Sequence, residues 1–337
     1  AHGGERLNLL VIPAEGEAFQ FSPRLEASAA LAAPGLADGR VRLETWEETD
    51  DPFLSVPGLL PPREPMQLLV SDGLRAQFVL GLQEVLRGCG WGLASRVLSP
   101  LRRVMDSEEI ELLRAAARAA DLAIERIIRG PMVGLSEADV ARDVREALVE
   151  EGHDTAEFWI VASGPNSASP HHDPGDRVIR AGEPLLLDIG GRRAGYCSDI
   201  TRTVWIADDG EPGPDDTFRH IYELTAAGQA AAREAVRPGV SFGSLDATAR
   251  SVISAGGYAD RFIHRLGHGI GLEVHEEPYV IEGNGETAVT GNTFSCEPGI
   301  YLEGRYGVRI EDAVVCTVDG GASLNEASRE LLIVPGR

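Results

Sequence analysis

Apolar residues in the first hundred positions fall into short runs and one longer periodic stretch. Residues 9–12 and 67–71 are compact apolar runs ended by turn residues, and Val41–Trp46 alternates, so each predicts a strand. Residues 74–86 instead space Leu, Phe, Val and Leu at helical intervals. Together these elements predict a small α/β domain over residues 1–100. The proline-rich segment 52–65 reads as an irregular excursion within it, because proline removes donors and fixes φ.

The pattern changes after residues 99–106. Ser107-Glu108-Glu109-Ile110 opens a long helix with Ile110, Leu113, Ala117, Ile124 and Ile128 on one stripe, and Gly130-Pro131 stops it. Ser136, three residues ahead of Asp139, caps a second amphipathic helix that ends at Gly152. Residues 216–236 and 244–255 repeat the arrangement, split by Pro238-Gly239. Strand-like runs occupy 158–162, 184–189, 200–206, 293–297, 308–315 and 331–334. The expected fold of residues 101–337 is therefore α+β, with two helix pairs covering one curved, antiparallel sheet. No internal sequence repeat is strong enough to identify.

Composition narrows the function. The chain has 337 residues, 43% of them hydrophobic and 25% charged, as in soluble proteins of about two domains. A formal charge of -22 argues against nucleic acid or an anionic membrane surface as partner, since both demand clustered Lys and Arg. The four cysteines are widely spaced, which predicts free thiols in a reducing compartment. With no apolar run of membrane-spanning length and no signal-like N-terminus, a cytoplasmic location is expected.

Candidate chemistry concentrates between His264 and Glu276. His264, His268 and His275 are interleaved with Gly267, Gly269 and Gly271, so the helical H-E-x-x-H arrangement is disfavoured and a loop and strand presenting single imidazoles is expected. Four acids lie in or beside apolar strand-like runs: Asp188, Asp199, Glu297 and Glu311. An unpaired carboxylate in such a place costs several kcal/mol, and only Arg202 and Arg309 are near in sequence to neutralise them. Alternation over 308–315 puts Arg309 and Glu311 on one face. Carboxylates with one imidazole suit manganese, cobalt or iron, with zinc also fitting. Four negative charges exceed what one divalent ion balances, so two ions sharing bridging carboxylates are expected.

Ser-Gly-Pro-Asn-Ser-Ala-Ser-Pro-His-His from Ser163, Leu-Asp-Ile-Gly around Asp188, Ser-Asp-Ile-Thr-Arg-Thr around Asp199, Gly-His-Gly-Ile-Gly-Leu-Glu-Val-His-Glu around His268, Glu-Pro-Gly-Ile-Tyr from Glu297 and Val-Arg-Ile-Glu-Asp around Glu311 occur in that order. This set resembles the pita-bread metallopeptidases, within them the Xaa-Pro group of prolidase and aminopeptidase P, over about residues 100–335. The resemblance implies a pita-bread peptidase domain at 101–337. It implies two divalent ions, manganese first with cobalt or zinc as alternatives. Asp188 would chelate one, Asp199 and Glu311 would bridge, and His268 with Glu297 would complete the second site. A hydroxide bridging the ions would be the nucleophile and Glu297 its proton acceptor. His171 and His275 would act at the scissile carbonyl or shuttle protons, and His264 and Arg309 would border the substrate, Arg309 neutralising the acids from behind. His171 and His172 cannot be told apart by spacing; motif position favours His171.

Some prolidases carry a cation shortly after the last histidine motif to meet the carboxylate of a C-terminal proline. Here that segment reads Glu277-Pro278-Tyr279, which transfers the task to Arg305, at the tip of a hairpin-length connection, or to the N-terminal domain, including that of a partner subunit. The expected activity is Xaa-Pro dipeptide hydrolysis by a homodimer, with longer Xaa-Pro-Yaa peptides or a non-catalytic binding module as the alternatives.

Overall fold

The computed structural model describes residues 4–61, 66–207 and 213–335, and the chain divides into two compact units, Ala1–Leu98 and Ser99–Arg337. In the first, β1 (Leu9–Val11) lies antiparallel to β2 (Ala18–Pro23), which runs parallel to β3 (Val41–Trp46). Two short helices, α1 (Ala27–Leu31) and α2 (Pro34–Ala37), connect β2 to β3. A second helix pair, α3 (Pro52–Leu59) and α4 (Ala76–Val85), accompanies the parallel strands β4 (Gln67–Val70) and β5 (Gly90–Leu93) around Phe19, Phe21, Trp46, Val56 and Phe78.

Helix α3 corrects the expected irregular excursion. Pro52 sits at the first helical position, where no amide hydrogen is needed, and Asp51 caps the Phe53 amide at 3.0 Å, so proline starts this helix. The rest of that segment, 62–65, lies outside the described residues. Strand β2 is an element the sequence pattern did not indicate.

Helix α5 (Ser95–Arg102) precedes the long α6 (Ser107–Arg129) and then α7 (Glu137–Glu150). Both of the last two begin with reciprocal capping boxes, Asp106 with Glu109 and Ser136 with Asp139. Their apolar faces, including Ile124, Val144 and Leu148, with Met132 from the connection between them, cover a sheet ordered β17-β9-β7-β6. Its strands are β6 (Thr155–Ser163), β7 (Glu183–Arg193), β9 (Ile200–Ala207) and β17 (Ile333–Pro335), with β8 (Tyr196–Cys197) added on β7. All pairs are antiparallel except β17 with β9.

The second helix pair, α8 (Asp216–Ala235) and α9 (Phe242–Ala255), buries Phe218, Ile221, Phe242 and Leu245 against Phe294, Ile300 and Val308. These belong to an antiparallel sheet ordered β11-β10-β12-β15-β16 and to a separate hairpin. The sheet comprises β10 (Gly267–Gly269), β11 (Glu276–Val280), β12 (Thr293–Cys296), β15 (Asp312–Thr317) and β16 (Gly320–Ser323); the hairpin is β13 (Gly299–Leu302) with β14 (Tyr306–Arg309). Two helix pairs over antiparallel strands give the α+β pita-bread architecture, with the curved sheet hydrogen-bonded as two five-stranded pieces and the hairpin.

One strand is broken where the sequence read it as continuous. Residues 308–315 divide at Ile310-Glu311: Arg309 ends β14 opposite Gly299, while Asp312 starts β15 opposite Cys296 in the other sheet. The Glu311 amide is instead donated to the Thr201 carbonyl at 3.1 Å, which anchors the break to β9. Thus Arg309 and Glu311 converge through Thr201, not through alternation on one strand.

Candidate metal centre and peptidase site

Each acid is delivered by a different element. Asp188 is in β7 in register with Thr201 of β9, and Asp199 stands in the step between β8 and β9. His268 is the middle residue of β10, and Glu297 follows β12. The glycines beside His268 let its strand pass close to β12: a Cβ on Gly267 would lie 1.9 Å from the Ser295 carbonyl oxygen.

The side chains meet in the interior. Asp199, His268 and Glu311 are buried and each offers a ligand atom within 4.8 Å of the others. His268 Nε2 lies 3.3 Å from Glu297 Oε1 and 3.6 Å from Asp199 Oδ2. Its Nδ1 faces the Gly269 carbonyl at 3.1 Å, which leaves Nε2 turned toward the acids. Asp188 Oδ1 and Glu311 Oε1 are buried with no hydrogen-bond partner among the described residues.

Charge in this cluster is out of balance. Burial, then the neighbouring Glu311 and Asp188, push the Asp199 carboxyl well above its ordinary range, and Glu311 is raised by burial and by Glu297 and Asp188. Burial also raises Asp188 against the pull of Arg309. Glu297 is the exception: burial works upward on it too, but the hydrogen bond and charge of His268 hold it at about 2. A divalent cation would relieve this repulsion and occupy the two orphaned oxygens, so the donor set fits metal.

Around the acids stands a ring of polar supports. Arg309, buried, donates Nη2 to Asp188, Nη1 to the Tyr301 hydroxyl at 2.8 Å and Nε to Thr201 Oγ1 at 3.2 Å. The guanidinium is thereby engaged behind Asp188. Thr201 donates to Glu311 Oε2 at 2.6 Å, and Ser295 donates to Glu297 Oε1 at 3.0 Å while accepting from the His268 amide. Tyr301 also meets His264 Nε2 at 2.9 Å. Sequence reasoning gave Thr201, Ser295 and Tyr301 no role; the available signal was their position inside the motifs, two residues from Asp199, Glu297 and Gly299.

The His275 ring lies 4.0 Å from that of His268, tilted by 44°, and is depressed to about 4, first by burial and then by His268 and Arg265. His264 is likewise lowered by burial. The two adjacent histidines separate: His172 is bonded to Glu137 at 2.7 Å, whereas His171 is exposed.

Arg305 stands apart from this group. Its guanidinium bonds the Tyr306 hydroxyl at 2.8 Å and Asp215 at 3.2 Å, at the cap of α8. The hairpin's root, where Gly299 pairs Arg309, lies at the acids, while Arg305 near its tip is bonded to the cap of α8. Arg265 has the opposite disposition: among the described residues its guanidinium makes no ion pair or hydrogen bond, lies 4.5 Å over the Tyr279 ring, and helps lower His275.

Among the described residues no helix is long and apolar enough to cross a membrane. The family model described as metallopeptidase family M24 matches residues 111–318. A probable dipeptidase, PepE, from Mycobacterium bovis is 44% identical over 332 residues, covering 98% of this chain and 86% of that protein. The crystal structure of dipeptidase PepE from Mycobacterium ulcerans superposes with a TM-score of 0.90 at 42% identity, covering 99% of this chain and 88% of the other. A recombinant prolidase from Thermococcus sibiricus gives a TM-score of 0.91 at 36% identity, covering 98% and 88%. With the buried acid and histidine cluster falling inside the matched segment, the chain belongs to metallopeptidase family M24.

Proposed function

We propose that the protein is a two-metal Xaa-Pro dipeptidase. The observation that carries this reading is the pair of buried, unpartnered oxygens, Asp188 Oδ1 and Glu311 Oε1, beside the convergent Asp199 and His268. In this assignment Asp188 holds one ion, Asp199 and Glu311 serve both, and His268 with Glu297 completes the second. The oxygen-rich donor set favours manganese, with cobalt or zinc as alternatives. When bound, the ions supply countercharge and an activated water. Glu297, kept ionised beside His268, accepts a proton at its carboxylate, and His171 with His275 holds the scissile carbonyl.

A dipeptide ends in a free carboxylate where a longer peptide has an amide. Arg265, stacked on Tyr279 and without an ionic partner among the described residues, is the group we assign to that carboxylate in place of Arg305. The accompanying picture is a cytoplasmic homodimer acting on proline-containing peptides, without nucleic acid or membrane, in which 1–100 is an accessory domain and 101–337 the peptidase. The charge of -22, the free cysteines and the division at Leu98 support it. The second reading, an aminopeptidase for longer Xaa-Pro-Yaa chains, is kept by the resemblance to an X-Pro aminopeptidase from Thermotoga maritima, TM-score 0.81 at 26% identity over 97% of this chain and 90% of that one.

Kinetics on Xaa-Pro and Xaa-Pro-Yaa peptides decide between them. Arg265→Ala should raise KM for dipeptides by about tenfold, the loss of roughly 1–2 kcal/mol of charge-assisted bonding, and leave tripeptides nearly unchanged. An equal rise for both would remove the dipeptide assignment, and no hydrolysis by the manganese-loaded protein would remove the peptidase reading.

A further inference from the structure

Glu137, the first residue of α7, is fully buried, and among the described residues no arginine is bonded to its carboxylate. Five hydrogen bonds hold it instead, and all come from one segment. Oε1 accepts from the Ser163 amide at 2.7 Å, the Ser163 hydroxyl at 2.6 Å and Asn166 Nδ2 at 3.0 Å. Oε2 accepts from Asn166 Nδ2 at 3.1 Å and from His172 Nε2 at 2.7 Å. The nearest guanidinium, Arg177, is committed to a bidentate pair with Glu183 and to the Ser163 hydroxyl.

Those contacts join the two ends of segment 163–172 to a single carboxylate. On its other side the segment is pinned to β14: Ser167 Oγ accepts from the Gly307 amide at 2.9 Å, two residues before Arg309, and a Cβ at Gly307 would come within 2.2 Å of the Ser167 carbonyl oxygen. His171 sits immediately before the second anchor and is exposed. A buried carboxylate satisfied only by directional bonds fixes geometry more than it adds stability, since apolar replacements of buried charges are often neutral or better.

We propose that Glu137 and His172 act as a staple that positions His171 for turnover. This rests on the dipeptidase reading for its link to catalysis, although the staple itself does not. Glu137 and His172 are positioning residues acting through His171: both Glu137 oxygens and His172 Nε2 are taken up within the staple, whereas the exposed His171 beside it is the one assigned to substrate.

The test compares His172→Ala, which removes the donor, with His172→Gln, whose amide nitrogen can reach the same oxygen. Both are made in the full chain with manganese and in a His171→Ala background. His172→Ala should lower kcat for an Xaa-Pro dipeptide on the order of 10- to 100-fold, the scale of a misplaced catalytic group, with KM and bound manganese little changed. Hydrogen exchange of the 163–172 amides should quicken, and His172→Gln should restore both properties. In the His171→Ala background, His172→Ala should slow turnover no further. Wild-type kcat in His172→Ala, unchanged exchange in the segment, failure of His172→Gln to rescue, or multiplied effects in the double variant would each overturn the proposal. Absence of hydrolysis by the wild-type protein would instead sink the dipeptidase reading and the link to turnover, while the exchange comparison would still decide for or against the staple.

Discussion

Thr201→Val is the substitution that asks most directly whether the acid cluster is held in place by its supports. The hydroxyl donates to Glu311 Oε2 at 2.6 Å and accepts from Arg309 Nε at 3.2 Å, and all three residues are buried. Valine keeps the shape and removes both bonds, leaving Glu311 with neither oxygen partnered by a side-chain donor. Hydrogen bonds to charged groups contribute about 1.5–3 kcal/mol each, so the two shared by one hydroxyl are expected to cost roughly 2–4 kcal/mol together. For a unit of this size each kcal/mol moves Tm by about 2–4 °C, which gives a fall of roughly 5–15 °C.

The same loss should be felt by metal. Removing the group that orients a ligand weakens affinity by about 10- to 100-fold, read by calorimetric titration of manganese into chelated protein. Thermal melts in chelator report the hydrogen bonds alone. At a fixed free metal that saturates wild type, a 100-fold weaker ion forfeits up to about 2.7 kcal/mol more, so the Tm gap between variant and wild type should widen with manganese. Thr201→Ser should preserve both quantities. A Thr201→Val protein melting within about 1 °C of wild type in both conditions, with unchanged manganese affinity, would refute the reasoning.

Exhaustive chelation should abolish hydrolysis and lower Tm, with manganese or cobalt restoring both; full activity in metal-free protein, checked by elemental analysis, would contradict the two-metal site. Glu311→Ala should disturb both ions and His268→Ala mainly one, which metal stoichiometry on the purified variants resolves. Burial works to raise Glu137, but the bonds from Ser163 and then His172 outweigh it and leave its carboxyl below the ordinary value, so its contribution to stability is complete above the unfolded pKa and disappears as pH falls through the lowered folded one. Acid unfolding of Glu137→Gln should accordingly be shallower than that of wild type in this window, and superimposable curves would deny Glu137 that role.

The helices were legible because their signals are local. Ser136 with Asp139 is a capping pair three residues apart, the helix opened at Ser107 is capped one residue earlier by Asp106, and the stripe through Leu113 and Ile124 buries as the periodicity demands. The strand break at Ile310-Glu311 was not legible, since its cause is remote: a carbonyl on Thr201 accepts the Glu311 amide and diverts the chain between sheets. Helix α3 was hidden for a different reason. Its prolines count against a helix in bulk composition, yet Pro52 sits at the one place where proline starts one.

In the site, the candidate ligands could be read from sequence because few side chains bind divalent ions and apolar surroundings make a carboxylate conspicuous. Their supports could not be read so, as Thr201, Ser295 and Tyr301 are ordinary strand residues whose partners lie on other elements. The two arginines show how register decides what composition leaves open. Arg305 looked suitable because the segment from Glu297 to Arg309 begins and ends in the site, but pairing of Gly299 with Arg309 puts the root there and carries the tip about four residues, roughly 13 Å, along the strand. At that distance Asp215 is the available counter-ion, and Arg305 takes it. Arg265 adjoins His264 and leads into the strand that carries His268, so register places it beside the site; with Tyr279 beneath it and no ion pair among the described residues, it is the cation proposed above for a substrate carboxylate.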